Sequence, residues 1–104
     1  MRYLGGTTGS GILKCAGTDV IRATYDFDSF AHKSGDVMRS GEIRLPSAAL
    51  ERIFGRSDVD LLTDEGQLLH LKFSERKLPP AATVAHVDVI SSRVVHPSAS
   101  VPGV

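Results

Sequence analysis

Residues Val20–Asp28 read VIRATYDFD, placing Ile21, Ala23, Tyr25 and Phe27 on one side of an extended chain and Arg22, Thr24, Asp26 and Asp28 on the other. Successive side chains of a β-strand point to opposite faces, so this alternation describes a strand with one face on a core and one in water. Half-wet strands are the habit of antiparallel sheets; parallel sheets, covered by helices on both faces, show near-continuous apolar runs instead. The chain is therefore predicted to be mainly β and antiparallel.

Working outward toward the N-terminus, Ile12–Ala16 is a short apolar strand, and Gly17-Thr18-Asp19 supplies the turn of a hairpin into Val20–Asp28. Ahead of it, Gly5–Gly11 (GGTTGSG) holds four glycines and three hydroxyl residues. Ordering such a segment costs much conformational entropy and creates no packed surface, so residues 1–11 are expected to be a flexible Gly-rich lead-in. It is not a phosphate loop. Gly6 and Gly11 have the required separation, but Ile12 and Leu13 stand where Lys and Ser or Thr would reach the phosphates and the metal.

Toward the C-terminus, Ser29–Asp36 is a polar connection in which Phe30 is read as a lid over a barrel end rather than an exposed anchor. Val37–Leu45 resumes a strand pattern, with a bulge or tight bend expected at Gly41. The local signals agree best over Gly41–Glu75. Pro46 and Ser47 start a short helix, Ala48–Phe54 (AALERIF), which Gly55 ends. Seven residues do not hold a helix alone, so this one is expected to bury Ala49 or Leu50 with Ile53 and Phe54 as a plug in one end of the sheet. Val59–Thr63 and Gln67–Ser74 form a hairpin about Asp64-Glu65-Gly66, and Glu75–Ala82, with Pro79-Pro80, carries the chain across an end. Thr83–Ile90 is a last strand with valine or isoleucine on both faces, which leaves its inward face undetermined. Residues 96–104 read as a disordered tail, leaving 12–95 as a single β-rich domain. The predicted architecture is a small antiparallel β-barrel or curled β-roll of about six strands with one short helix. An α+β sandwich is the alternative, should the helix lie flat on a sheet face.

Twelve basic and twelve acidic residues leave no net charge, so no long-range field steers the chain toward phosphates or anionic lipid, and nucleic acid is not an expected partner. The missing self-repulsion favours a homo-oligomer. The single Cys15, together with a start (MRYLGGTTGSG) lacking the pattern of a secretory signal, points to a cytoplasmic setting. No run of apolar residues is long enough to cross a bilayer, so a soluble protein is expected.

The residues that carry chemistry are few. His32, His70, His86 and His96 lack metal-ligand spacing, and no metal, cofactor or catalytic group is expected. His70, His86 and Asp88 are nonetheless the candidate binding residues, because neighbouring strands would bring the two histidines together with Asp88 or Asp60 as charge partner. Cys15 reads as a small buried hydrophobe rather than an activated thiolate. The acidic cluster Asp58, Asp60, Asp64 and Glu65 has alternate-strand spacing, not that of a calcium loop, and reads as a solvated edge. Arg22 and Arg44 are expected to pair across strands with Asp26 and Glu42. Leu62 and Leu68 are apolar residues on an otherwise polar face beside one turn, and are candidates for an oligomer interface.

These features favour a non-enzymatic, self-associating binding module whose partner is a protein segment or a small molecule. A small hydrolase or metal-assisted enzyme using His70, His86 and Asp88 is the alternative. A further one is an OB-like single-stranded nucleic-acid binder, which would need exposed stacking aromatics where Tyr25 and Phe27 are assigned to the core.

Overall fold

The computed structural model describes residues 1–95, and the tail expected over 96–104 lies outside the described residues. In chain order the elements are β1 (Arg2–Cys15), β2 (Thr18–Ala31), β3 (Val37–Arg44), α1 (Ser47–Ile53), β4 (Val59–Thr63), β5 (Gln67–Phe73) and β6 (Val84–Val94). The strands close into a barrel in the order β1-β2-β3-β6-β5-β4, and all neighbours are antiparallel. The expected mainly-β barrel with one short helix is therefore the observed fold.

The alternation at Val20–Asp28 fills the interior as read: Ala23, Tyr25 and Phe27 are buried, and they meet Leu13, Ile43, Val59, Leu61, Leu69, Leu71, Ala85 and Val87 from the other strands. This settles the inward face of β6, with Ala85 and Val87 buried and Val89 packed against them, so that His86 and Asp88 look outward. Ala49, Leu50 and Ile53 of α1 belong to the same core, and Phe54 meets Phe73 at 5.0 Å between ring centroids. The helix thus stops the end of the barrel where β3 finishes and β4 begins. Gly55 takes a φ of +81 just past the helix, as expected for its C-terminal stop. At its start Ser47 makes no capping bond; the Pro46 carbonyl accepts the Leu50 N–H at 3.0 Å instead.

Two tight turns set the hairpins. Cys15 faces Thr18 across Ala16-Gly17, whose φ values of 51 and 82 are the pair of positive angles that a two-residue hairpin turn with matching twist requires. Gly66, with φ of +93, closes the β4–β5 turn and donates its N–H to the Thr63 carbonyl at 2.9 Å. Among the described residues no helix is long and apolar enough to cross a membrane.

Several expectations give way. Gly5–Gly11 is not a loop but the middle of β1, paired residue by residue with β2 from Gly5↔Ser29 to Gly11↔Ala23. Cross-strand partners supply the packing that the segment lacks: the Tyr25 ring lies over Gly9, where a Cβ would sit 2.6 Å from its hydroxyl. Gly41 marks neither bulge nor break, since β3 keeps an unbroken register with both neighbours. Its reason is proximity, because a Cβ there would lie 2.0 Å from the Asp26 carbonyl oxygen. The last strand does not stop at Ile90; after a register shift opposite His70/Leu71 it pairs with β5 as far as Val94. Arg22 pairs with Asp64 in the β4–β5 turn rather than with Asp26, and among the described residues Arg44 forms no ion pair.

The close approach at Gly41 yields a sharp expectation. Gly41→Ala must push apart two paired backbones rather than a flexible side chain, and should lower the unfolding free energy by about 2 kcal/mol or more. Urea unfolding of the two proteins measures this; equal midpoints would show that the strands have room to spare.

Candidate interaction surface

Strand length decides where the barrel is left open. β1 and β2 each have 14 residues, whereas β4 has 5. β1 therefore pairs with β4 only over Gly11–Cys15, and β2 and β3 continue beside its remaining half as a three-stranded extension. This extension stands at the end opposite α1, where the β4–β5 turn and the end of β6 also lie.

The register carries apolar residues across it. Tyr3 is opposite Phe30, and Phe30 is opposite Met38, which forms a row on the outer face. The Tyr3 and Phe30 rings meet at 5.4 Å and 57°, and the Tyr3 hydroxyl donates to Asp28 Oδ1 at 3.0 Å. That carboxylate acceptor, more than any burial, raises the Tyr3 pKa above the ordinary phenol value. On the other face Leu4, Ala31 and Val37 share a trough of about 490 Å³ with Met1, Arg2 and His32. The large exposed apolar residues among those described are Met1, Tyr3, Leu4, Val37, Met38, Ile90 and Val94, and all belong to this end. Tyr3 keeps 58% of its surface in water and Met38 49%, so neither is a lid on its own barrel. Phe30, expected to be such a lid, is half-buried against Tyr3 instead.

His70 and Asp60 come together as a hydrogen-bonded pair, with His70 Nδ1 2.8 Å from Asp60 Oδ1 across β4 and β5. An accepting carboxylate puts the ring hydrogen on Nδ1 and leaves Nε2 free, the arrangement that orients a base or a metal ligand. Ser91 is opposite His70 on the other side, but no hydrogen bond joins it to the ring, and the hollow of about 370 Å³ around them is open to water. His86 and Asp88 do not complete the group. Lys72, not His70, faces Asp88, and His86 lies about 13 Å farther along the sheet at ordinary strand rise. His86 faces Glu42 across β3, while its backbone N–H donates to Glu75 Oε1 at 2.8 Å. Among the described residues no three His, Cys, Asp or Glu side chains are placed to hold a metal ion.

Leu62 and Leu68 are directly opposed, with Ile12 facing Leu62 from β1. All three are half-buried, a cross-strand apolar row on the outer wall. Tyr25 and Phe27 stack on each other at 5.0 Å in the interior and present no face to a base. The acidic cluster is partly committed, with Asp60 to His70, Asp64 to Arg22, and Asp58 accepting from Nε and Nη2 of Arg56 at 2.7 and 2.6 Å. That fork holds the Asp58 carboxyl below its ordinary range. The role of Tyr3 and Met38 was not readable in advance, because each is an isolated apolar residue until the register sets Phe30 between them.

Cys15 is half-buried at the end of β1, and burial, only partly offset by Arg56, raises its thiol pKa. Less thiolate at neutral pH means slower alkylation. Iodoacetamide should modify Cys15 in the native protein several-fold more slowly than in urea at the same pH; equal rates would contradict a sheltered thiol.

Compared with protein families, curated proteins and solved structures, the chain matches none of them.

Proposed function

We propose that the chain is a non-enzymatic interaction module that associates with itself through the open end of its barrel. The observation that supports this most is the apolar extension of β1, β2 and β3, which presents large side chains on both of its faces. A sheet with one face on a core has ordinary reasons for apolar residues on that face alone. Tyr3, Phe30 and Met38 make a contiguous apolar row on the outside and Leu4 and Val37 line the trough on the inside, and exposed apolar patches of this kind mark protein contacts. Its residue types also fit, since aromatic residues and Met are enriched where proteins meet.

The net charge of zero supports association of like with like, because two copies approach without long-range repulsion. An unpaired, sheltered Cys15 is in keeping with work in the reducing cytoplasm as a soluble protein. The burial of Tyr25 and Phe27 weighs against reading single strands of nucleic acid by stacking. The separation of His86 from His70 weighs against an enzyme built on His70, His86 and Asp88.

Sedimentation equilibrium at rising concentration tests the proposal. The wild-type chain should exceed its 11.1 kDa monomer mass, and Met38→Asp, which buries a charge in the contact, should weaken association at least tenfold. The double variant Leu62→Asp, Leu68→Asp should associate as the wild type does. A wild-type mass that stays at the monomer value removes the proposal; dissociation by the double variant alone would move the contact to the outer wall.

A further inference from the structure

Beyond Gly11 the free side of β1 is a row of unused backbone groups. The Ser10 carbonyl accepts the Asp64 N–H at 2.9 Å, the last bond that β1 makes toward β4 and its turn. The N–H and C=O of one strand residue point the same way and those of its neighbours the opposite way. With no register shift between Gly5 and Leu13, Thr8 and Gly6 therefore share the orientation of Ser10, away from β2. No described residue pairs with them there.

Exposed sheet edges are ordinarily blunted by lysine, proline, inward charge or short length. This one runs from Arg2 to Ser10 and, apart from the charge of Arg2 at its end and the irregularity between Tyr3 and Gly5, carries none of these, and Thr7, Thr8, Gly9 and Ser10 are small and uncharged. A strand laid against it meets backbone without side-chain obstruction.

Resting on the self-association proposed above, we infer that the occupant of this edge is the same edge of a second copy, antiparallel about a two-fold axis near Thr7. In that register Gly6 and Thr8 of one chain exchange both of their hydrogen bonds with Thr8 and Gly6 of the other, so the outward donors and acceptors of these residues are all paired. An isologous contact of this kind demands a patch that complements itself, and a neutral strand with alternating outward pairs does so. The two extensions then fuse into one sheet of six strands whose outer face carries both rows from Tyr3 to Met38, one toward each end. A peptide from another protein would use the same backbone groups. The second copy is favoured because the chain has no net charge and the apolar row abuts this very edge. The chain's own segment 96–104 is a poorer strand, with Pro97 and Pro102 each lacking a ladder donor.

The test compares four full-length or shortened chains by sedimentation equilibrium and by amide exchange: wild type, Thr8→Pro, Met38→Asp and a chain ending at Val95. Thr8→Pro deletes an edge-facing N–H and leaves the bonds of β1 to β2 intact, so its thermal midpoint should stay near that of the wild type. The expected result is a wild-type dimer with the Gly6 and Thr8 amides protected in proportion to dimer, at least a tenfold loss of association in Thr8→Pro, and an unchanged dimer in the chain ending at Val95. A Thr8→Pro dimer of wild-type strength overturns the edge while leaving self-association through the apolar face standing, provided that Met38→Asp still dissociates it. A wild type that stays monomeric overturns both. Loss of the dimer on removal of 96–104 overturns the edge-to-edge contact and gives the edge to the tail.

Discussion

Closure of this barrel depends on one close approach. β1 and β4 are the strands that must meet to turn a six-stranded sheet into a tube, and they meet where Gly11 lies against Leu62 and Thr63. A Cβ on Gly11 would stand 2.3 Å from the Leu62 carbonyl oxygen, well inside contact distance, so any side chain there would hold the two backbones apart. Because the contact is backbone on backbone, it fixes the seam tightly. Because β4 has only 5 residues, it also fixes where the seam ends. The open half of β1, the apolar extension and the position of Arg22 against the Asp64 turn all follow from that single meeting point.

The two ends of the tube consequently face different physical problems. At one end α1 brings Ala49, Leu50 and Ile53 into the core, and Phe54 covers Phe73, so the interior is sealed by side chains from the same chain. At the other the strands outrun one another, and among the described residues no helix covers what they expose.

How much of this was legible in the sequence depended on whether the deciding contact is local. The alternation from Val20 to Asp28, the Gly66 turn and the Gly55 stop are written within a few residues of where they act, and each is found in place. The β-strand from Gly5 to Gly11 is not, because its ordering comes from Tyr25, Phe27 and the β2 backbone, whose paired residues are 12 to 24 positions away. Composition alone records the entropy cost of those glycines and says nothing of their cross-strand partners. The same holds for Gly41, a bend when read along its own strand and a point of near contact when read across to Asp26. For the candidate residues, the pairing of His70 with Asp60 was foreseeable from alternate spacing on adjacent strands, whereas the separation of His86 required the register of β5 on β6.

The seam between β1 and β4 joins segments nearly fifty residues apart, whereas β1 with β2, β2 with β3 and β4 with β5 are each joined by a short turn. Loop-closure entropy delays distant pairings relative to near ones, so the long hairpin and its third strand should assemble first, and the seam should form late, like the similarly distant pairing of β3 with β6. Until the seam closes, the full length of β1 is bare on one side, not merely Arg2–Ser10. A second chain that pairs with it at that stage competes with β4 for the stretch Gly11–Cys15, so closure of the seam is also the step that confines any edge-to-edge pairing to Arg2–Ser10.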